Sequence, residues 1–451
     1  MKEVFEYIEQ NKDTYIKWLQ DLCKQPSVAA QNRGMKETAD LVEQLIQSIG
    51  GKTQKVPTSG YPVVYGEFNA EKNHILSFYN HYDVQPEDPV ELWDYPPFGA
   101  EIHDGKIYGR GVADNKGNLV ARLAAIDAYQ KVKGELPINI KFLIEGEEEI
   151  GSVHLNEFIE NHPSLIEADG NIWEFGYRDN DGRMNITCGV KGMCYVELVC
   201  RGANTDLHSS NAAVIENPAW RLTWALSTLK TPDEHVNIQG FYDKVAIPTE
   251  EEIKQLEQMS YQEKETLERL ELNSFLLDLS GLELKKKLVY QPTCTICGFY
   301  SGYTQEGAKT VLPNEARAKI DFRLVPHQDP EEVVQLLRAH LDKNGFSDIE
   351  IISHSGVAAA KTDPTDRLVQ SATDTAREVY GTEPNPVPMS PATGPMYDLC
   401  QKLGIPSVSI GVGHPDARNH APNENIFLED FINGIKHIAA IMEDFPKRLQ
   451  K

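Results

Sequence analysis

Residues 138–144, INIKFLI, run directly into residues 145–152, EGEEEIGS. The first run has the composition of a β-strand, with apolar side chains at most of its positions. The second run places acidic side chains immediately after that strand. In an open parallel α/β sheet, ligands bind in the crevice beyond the carboxyl ends of the strands. This stretch therefore predicts an α/β fold with carboxylates at its binding edge.

Three further apolar runs end beside a possible metal ligand. Residues 75–79, ILSFY, come just before His81, residues 171–173, NIW, deliver Glu174, and residues 407–410, SVSI, lead into the loop that holds His420. Because the carboxyl ends of parallel strands meet at one edge of a sheet, we expect these side chains to converge on the acidic turn.

A glycine-rich loop supplies another carboxylate. Residues 109–117, GRGVADNKG, contain Asp114 and are followed by an amphipathic helical pattern over residues 118–133. The glycines allow unusual backbone angles and close packing. The loop lacks the Gly-x-Gly-x-x-Gly and Gly-x-x-x-x-Gly-Lys-Ser/Thr patterns of nucleotide-binding loops, so nucleotide binding is disfavoured. A carboxylate at this junction could bridge two cations.

The mixture of residue types indicates a two-metal hydrolase. Carboxylates and neutral imidazoles suit zinc and neighbouring divalent metals. One bridging carboxylate, with one imidazole and one further carboxylate for each metal, requires five ligands. The candidates are His81, Asp114, Glu149, Glu174 and His420, which leaves Glu148 spare. Each residue taken alone would more often be an ordinary histidine or a solvated acid, so the prediction depends on the joint pattern.

Three ordered motifs resemble the carnosinase and aminoacylase superfamily of di-zinc metallopeptidases, and most of all its cytosolic, carnosinase-like dipeptidase branch. They are residues 80–83 (NHYD), 109–117 (GRGVADNKG) and 145–152 (EGEEEIGS). The resemblance implies a split catalytic domain, with a mixed and mostly parallel sheet flanked by helices. It also implies an inserted α+β, ferredoxin-like lid domain.

The resemblance also implies roles for single residues. Asp114 would bridge two metal ions, His81 and Glu174 would bind one ion, and Glu149 and His420 would bind the other. The ions would be zinc, with manganese or cobalt as alternatives. Glu148 would be the general base and acid that moves a proton from a bridging water to the leaving amine. Asp83 would orient the His81 ring. One departure is Glu174, since carnosinases carry Asp there and other branches carry Glu.

The lid and a late loop supply candidate substrate contacts. By resemblance, His208 would donate a hydrogen bond to the substrate's carbonyl oxygen, across the subunit boundary in dimeric relatives. Arg323, on the polar side of an alternating strand, would hold the substrate's terminal carboxylate. The loop at residues 390–396, SPATGPM, stands where dipeptidases present a small-residue turn, although it is not Gly-Gly-Ser here. Thr393 and Gly394 are its candidate substrate-binding positions.

The order of patterns predicts an interrupted architecture. We expect residues 1–187 to form the first part of the catalytic domain, residues 188–360 the lid, and residues 361–451 the second part of the catalytic domain. Helical patterns cover residues 3–22, 35–49, 218–229, 331–343 and 367–380, and strand patterns cover residues 195–200, 293–300, 316–325 and 349–353. The charged stretch at residues 249–272 predicts an exposed helical insertion.

The composition of the chain argues against some classes of binding partner. The chain has 451 residues and a net charge of -24, which argues against nucleic acid or an anionic membrane as a partner. Seven scattered cysteines suit reduced thiols, and Cys294 and Cys297 lie on a predicted strand that points them to opposite faces. No apolar run approaches membrane-spanning length. We expect a cytoplasmic protein and, from the resemblance, a homodimer through the lid.

The function predicted is metal-dependent hydrolysis of dipeptides or very short peptides with a free C-terminal carboxylate. Deacylation of N-acyl amino acids is the alternative, because such substrates also place an amide beside a carboxylate. A homologue that binds metal and peptide without catalysis is a remote alternative, since it predicts a broken ligand set or a missing base. A serine hydrolase is disfavoured because the sequence has no Gly-x-Ser-x-Gly.

Overall fold

A computed structural model describes residues 1–450 and contains 14 α-helices and 19 β-strands within them. The elements up to residue 190 are α1 (Lys2–Gln10), α2 (Lys12–Lys24), α3 (Met35–Ser48), β1 (Lys52–Val56), β2 (Val63–Phe68), β3 (Ile75–His81), β4 (Glu101–His103), β5 (Lys106–Tyr108), α4 (Lys116–Lys133), β6 (Asn139–Glu145), α5 (Leu155–Asn161), α6 (Pro163–Ile166), β7 (Gly170–Trp173), β8 (Asn185–Thr187) and β9 (Gly189–Val190).

The middle of the chain forms the lid and the helices beside it. Its elements are β10 (Gly192–Arg201), β11 (Leu207–His208), α7 (Pro218–Leu229), α8 (Glu250–Gln258), α9 (Glu263–Arg269), α10 (Gly281–Tyr290), β12 (Thr293–Ser301), β13 (Val311–Leu312), β14 (Glu315–Leu324), α11 (Pro330–Lys343) and β15 (Glu350–Val357).

The last part returns to the catalytic domain. Its elements are β16 (Ala360–Lys361), α12 (Arg367–Tyr380), β17 (Asn385–Val387), α13 (Met396–Leu399), β18 (Ser407–Ser409), β19 (Asn425–Phe427) and α14 (Leu428–Leu449). No helix within residues 1–450 is both long enough and apolar enough to cross a membrane.

The large sheet has eight strands in the order β1-β2-β6-β3-β7-β18-β8-β17. The pairs β3/β6, β3/β7, β7/β18 and β8/β17 are parallel, while β1/β2, β2/β6 and β8/β18 are antiparallel. Successive side chains of a strand face opposite sides, so Phe78 and Phe142 join one apolar core while Tyr79 and Leu143 join the other. The predicted mixed, mostly parallel sheet is confirmed.

The lid sheet is antiparallel, in the order β12-β14-β10-β15. Helices α7 and α11 pack on one of its faces through buried residues such as Leu222 and Leu337. Along the chain the units run β10-α7-β12-β14-α11-β15, the split βαβ arrangement of a ferredoxin-like fold. The predicted α+β lid is confirmed.

The chain crosses between the two sheets at a pair of short strands. β9 and β16 pair in antiparallel register, with Val190 opposite Ala360 and Gly189 opposite Lys361. Strand β8, which precedes this crossing along the chain, and strand β17, which follows it, both belong to the large sheet. The lid is therefore inserted between two parts of the catalytic domain. The exact limits at residues 187/188 and 360/361 stay a prediction.

Two predicted helical segments differ from the structure. The pattern over residues 3–22 is two helices rather than one, because Asn11 leaves the helical conformation and its side chain donates to the Tyr7 carbonyl at 2.8 Å. Residues 249–272 form α8 and α9 but are not fully exposed. Glu252 and Leu256 are buried, and Leu256 belongs to an apolar cluster that also contains Met389 of the catalytic domain.

Candidate metal centre and active site

The ends of neighbouring strands bring the predicted ligands together. His81 is the last residue of β3, Glu174 directly follows β7, and Glu149 lies in a short 3-10 turn after β6. β3 lies between β6 and β7 in parallel register, so these three side chains leave the sheet at the same edge. His420 approaches from the loop after β18, with a left-handed backbone (φ 59°).

Asp114 lies between the two imidazoles. One of its carboxylate oxygens is 3.1 Å from Nε2 of His81, and the other is 3.4 Å from Nε2 of His420. The Asn419 side chain also donates to Asp114 at 3.2 Å. A carboxylate placed between two nitrogen ligands in this way has the arrangement needed to bridge two cations.

The remaining carboxylates surround this core. Oε2 of Glu149 is 3.1 Å from Nε2 of His420, and Oε2 of Glu174 is 3.7 Å from Nε2 of His81. Glu148 is farther out, with Oε2 4.0 Å from Nε2 of His81, and its side chain is 21% exposed. The Asp114 and Glu174 side chains are 18% and 12% exposed, so Glu148 is the most exposed of these acids only by a small margin.

Asp83 supports the cluster from below and is fully buried. Its carboxylate accepts the backbone N–H groups of Glu148 at 3.3 Å and Glu149 at 3.0 Å. Nδ1 of His81 lies 3.0 Å from the Asp83 carbonyl oxygen and 3.4 Å from its carboxylate. One acid thus orients both the imidazole and the acidic turn.

The pKa shifts of the cluster reflect its burial and its excess of carboxylates over cations. Burial, and then the neighbouring carboxylate of Glu174, raise the pKa of Glu148 well above its usual range. Burial raises the pKa of Glu174 to about 7. Hydrogen bonds to Asp114 and Glu149 raise the pKa of His420 to about 10. Nearby cations would favour the ionised carboxylates and relieve this repulsion.

The donor set fits divalent metal. Two groups of three side chains could each hold a metal ion, because their donor atoms lie within 4.8 Å of one another. The first group is His81, Glu148 and Glu174, and the second is His81, Asp114 and Glu149. Within residues 1–450, Oε1 of Glu149 and Oε2 of Glu174 are buried without a hydrogen-bond partner. Unpaired buried carboxylate oxygens are costly, and coordination of a cation would satisfy them.

Glu424 is a buried residue of the site that sequence reasoning missed. Its carboxylate contacts Nη1 of buried Arg110 at 2.8 Å and accepts the backbone N–H groups of Gly111, Ala113 and Asp114 at 2.9–3.1 Å. It therefore ties the loop of Asp114 to the loop of His420. Nothing in its residue type distinguishes it from a solvated acid, because its partners lie more than 300 positions away in the sequence.

Arg323 reaches the loop at residues 390–396. Its Nη1 donates to Oγ1 of Thr393 at 2.8 Å, and its Nε donates to Asp321 at 2.9 Å. The next residue, Gly394, lies beside Glu174, since a Cβ there would be in ordinary contact with Oε1 of Glu174 at 3.7 Å. Three of the four predicted substrate-binding residues, Arg323, Thr393 and Gly394, therefore lie together near Glu174.

His208 is not brought into the cluster. It is exposed on β11, where its ring lies 2.9 Å from Oγ of Ser210 and 3.3 Å from Oγ1 of Thr310. Both neighbours belong to the lid.

The cysteines are free thiols, and six of the seven are buried. Cys294 is buried and Cys297 is exposed, as expected for thiols on opposite faces of a strand.

Comparison with known proteins identifies the family. Residues 77–444 match the peptidase family M20/M25/M40. The chain is 30% identical to a Beta-Ala-His dipeptidase of Homo sapiens over 98% of this chain and 92% of that protein. It is 27% identical to a Cys-Gly metallodipeptidase of Schizosaccharomyces pombe, over 97% and 96% of the two chains.

A solved structure is similar over nearly the whole length. It is an M20 family metallo-carboxypeptidase from Sulfolobus solfataricus, 41% identical, with a TM-score of 0.91 over 96% of this chain and 99% of that one. The resemblance to metallopeptidases of the carnosinase-like branch, predicted from three motifs, is confirmed. This chain belongs to peptidase family M20/M25/M40 and is a metal-dependent peptide hydrolase.

Proposed function

We propose that this protein hydrolyses the peptide bond of dipeptides or very short peptides that carry a free C-terminal carboxylate. The observation that carries the proposal is the position of Asp114 between His81 and His420, with the partly exposed Glu148 4.0 Å from His81. Two divalent ions, zinc or alternatively manganese or cobalt, would share Asp114. His81 and Glu174 would complete one site, and Glu149 and His420 the other.

When bound, two such ions polarise the scissile carbonyl and make water more acidic. Glu148, the acid of the cluster that is not among the five proposed ligands, accepts a proton from the attacking water and returns it to the leaving nitrogen. Asp83 keeps the His81 ring and the turn of Glu148 in place through its hydrogen bonds. His208 of a partner subunit would stabilise the developing negative charge on the carbonyl oxygen.

Arg323 and Thr393 support an exopeptidase. The Arg323 guanidinium contacts Thr393, whose neighbour Gly394 lies beside Glu174. It would anchor the terminal carboxylate through charge-assisted hydrogen bonds. A substrate held at that end presents its last peptide bond to the metal ions.

A second candidate is removal of the C-terminal residue from longer peptides. The similarity to the metallo-carboxypeptidase of Sulfolobus solfataricus favours it. It uses the same metal ligands, base and carboxylate anchor. The two candidates differ in whether the substrate can extend on its amino-terminal side.

We also propose a cytoplasmic homodimer that associates through the lid. The exposed position of His208 supports a role in a partner's active site. Exposed apolar side chains of the lid, Trp220 and Trp224 on α7 and Phe299 on β12, offer surface for association. The free thiols support a reducing compartment.

The test is hydrolysis by metal-free protein that has been reloaded separately with zinc, manganese or cobalt, with bound metal counted per chain. The panel contains dipeptides, the same dipeptides as C-terminal amides, longer peptides and N-acyl amino acids. We expect two metal ions per chain, cleavage of dipeptides, and little cleavage of the amides because they lack the carboxylate. Cleavage of longer peptides would favour the carboxypeptidase, and cleavage of acyl amino acids alone would indicate a deacylase. No cleavage by the metal-loaded protein would overturn the proposal.

A further inference from the structure

We propose that a pocket beside Arg323 receives the side chain of the substrate's C-terminal residue and selects large apolar side chains. The inference rests on the proposed function, because it assumes that Arg323 holds the terminal carboxylate. The pocket, called the lid pocket below, has a volume of about 430 Å³. Its apolar wall consists of Phe275, Leu276, Leu279, Leu284, Leu288 and Pro292.

The lid pocket adjoins the candidate substrate-binding residues. Arg323 and Pro391 line it, and Pro391 belongs to the same loop as Thr393, the hydrogen-bond partner of Arg323. On the other side of that loop, Gly394 packs against Trp173 and Glu174. Arg323 and this loop therefore connect the lid pocket to the surroundings of Glu174.

This position fixes how a substrate would lie. With its carboxylate on Arg323 and its scissile carbonyl at the metal ions, the Cα of the last residue lies beside the guanidinium. The side chain at that Cα then also lies beside Arg323, which lines the lid pocket. The lid pocket is the cavity that Arg323 lines there, and its volume is within the range of roughly 300–1,000 Å³ that small-molecule sites have.

The lining decides which side chains fit. The apolar wall is partly open, since Leu276 is 57% exposed. Covering such surface by an apolar side chain stabilises the complex in proportion to the area removed from water. Of the three lysines in the lining, Lys230 is paired with Glu234, Lys191 donates to the Gln291 carbonyl at 2.6 Å, and Lys287 is half-buried beside the more numerous apolar residues. An apolar C-terminal residue such as Leu or Phe is the ligand that this lining favours.

The experiment compares kcat/KM for the dipeptides Ala-Phe, Ala-Leu, Ala-Gly and Ala-Lys with the metal-loaded enzyme. We expect Ala-Phe and Ala-Leu to exceed Ala-Gly by about tenfold or more, the scale of discrimination in apolar pockets. Leu276→Asp places a carboxylate in the apolar wall. It should therefore lower the kcat/KM of Ala-Phe relative to that of Ala-Gly, and raise the kcat/KM of Ala-Lys relative to that of Ala-Phe.

Leu277→Asp is the matched control. Leu277 is the neighbouring residue, is 50% exposed and does not line the pocket, so its replacement should leave both ratios unchanged. Thermal unfolding of the two variants, which should match the wild type at such exposed positions, shows that they fold. If dipeptides are cleaved but Ala-Gly is as good as Ala-Phe, or Leu276→Asp leaves the ratios unchanged, the lid pocket inference is wrong and the proposed function stands. If no dipeptide is cleaved, the proposed function itself fails.

Discussion

Glu148 differs from the other acids of the cluster in its surroundings rather than in its chemistry. Glu149 and Glu174 each have a buried oxygen without a partner within residues 1–450, and Asp114 contacts both imidazoles. Glu148 lies farther from Nε2 of His81, at 4.0 Å, than Asp114 at 3.1 Å or Glu174 at 3.7 Å. At the scale of single residues, this position fits the proposed proton transfer by Glu148, and the positions of the other acids fit the proposed metal ligands.

Replacing Glu148 with Gln should therefore lower kcat by about two to four orders of magnitude, the usual contribution of a general acid-base group. The bound metal should stay close to the wild-type amount, because the five proposed ligands are intact. Both quantities are measured on the same preparation, by steady-state hydrolysis and by metal analysis. Glu160→Gln, an exposed acid on α5, is the control. Near-normal turnover of Glu148→Gln would contradict the role of Glu148.

At the scale of elements, two loops far apart in sequence hold the cluster together. Glu424 accepts three backbone N–H groups of the loop that carries Asp114 and pairs with Arg110, and both side chains are about 1% exposed. Glu424 touches no proposed ligand side chain. It is a positioning residue, which acts by fixing the backbone on which Asp114 stands.

Glu424→Gln should weaken metal binding by roughly 10–100-fold, the usual effect of losing a group that orients a ligand. It should also lower the free energy of unfolding by about 3–5 kcal/mol, because it leaves the Arg110 charge buried and unpaired. Metal affinity is measured by competition with a chelator, at a temperature where both proteins are folded. Exposed Glu429→Gln is the control. Unchanged metal affinity would show that Glu424 serves stability alone.

Helix α14 carries a pH-sensitive contact away from the active site. His437 is 1% exposed, and its Nε2 lies 2.9 Å from the Ala372 carbonyl of α12. Burial lowers the pKa of His437 from 6.5 to about 4. Between pH 6.5 and pH 4, His437 is therefore protonated in the unfolded chain but still neutral in the folded protein. The stability that neutral His437 contributes above pH 6.5 is lost as the pH falls through this range.

The difference between the folded and unfolded pKa of His437 should lower the free energy of unfolding by about 2 kcal/mol when the pH falls from 7 to 5. His437→Gln keeps an N–H donor but does not titrate, so its stability should fall less over that interval. Chemical unfolding of both proteins at the two pH values measures the difference. His235→Gln, at an exposed position, should follow the wild type. Parallel pH dependence of His437→Gln and wild type would contradict the prediction.

At the scale of the whole molecule, contacts across the domain crossing set the position of the lid. Beside the paired strands β9 and β16, helix α8 contributes Glu252, which pairs with Lys361. The backbone N–H of Ser260, between α8 and α9, donates to the Asn385 side chain at 2.7 Å. The segment from α8 to α10 therefore connects the lid to the catalytic domain, while the side-chain contacts of His208 stay within the lid.

A mixture of two inactive variants tests whether His208 acts across a dimer. Glu148→Gln and His208→Ala each disable every site of their own homodimer. In a mixed dimer, the site with an intact Glu148 receives an intact His208 from its partner. Random mixing in equal amounts should restore about a quarter of wild-type activity, because half of the dimers are mixed and each has one working site. No recovery after verified subunit exchange, or a monomeric mass in solution, would contradict the cross-subunit role.

Local patterns determined the elements and the candidate ligands. The helices at residues 218–229 and 367–380 agree with the predicted limits, because apolar periodicity and capping are read within a few turns of chain. His81, Asp114, Glu149, Glu174 and His420 were predicted from residue type and position after strands, and these are also local signals. The break at Asn11 was missed because the periodic pattern continues through it.

Only the tertiary structure decided what depends on distant parts of the chain. The burial of Glu252 and Leu256, the contact of Glu424 with the Asp114 loop and the lid pocket beside Arg323 all arise from segments that are remote in sequence. An acid that is solvated and an acid that organises a loop look the same in a sequence, because their difference lies in the dielectric and the hydrogen-bond donors around them. The chemistry of the site was thus encoded locally, while its support and its specificity were set by packing.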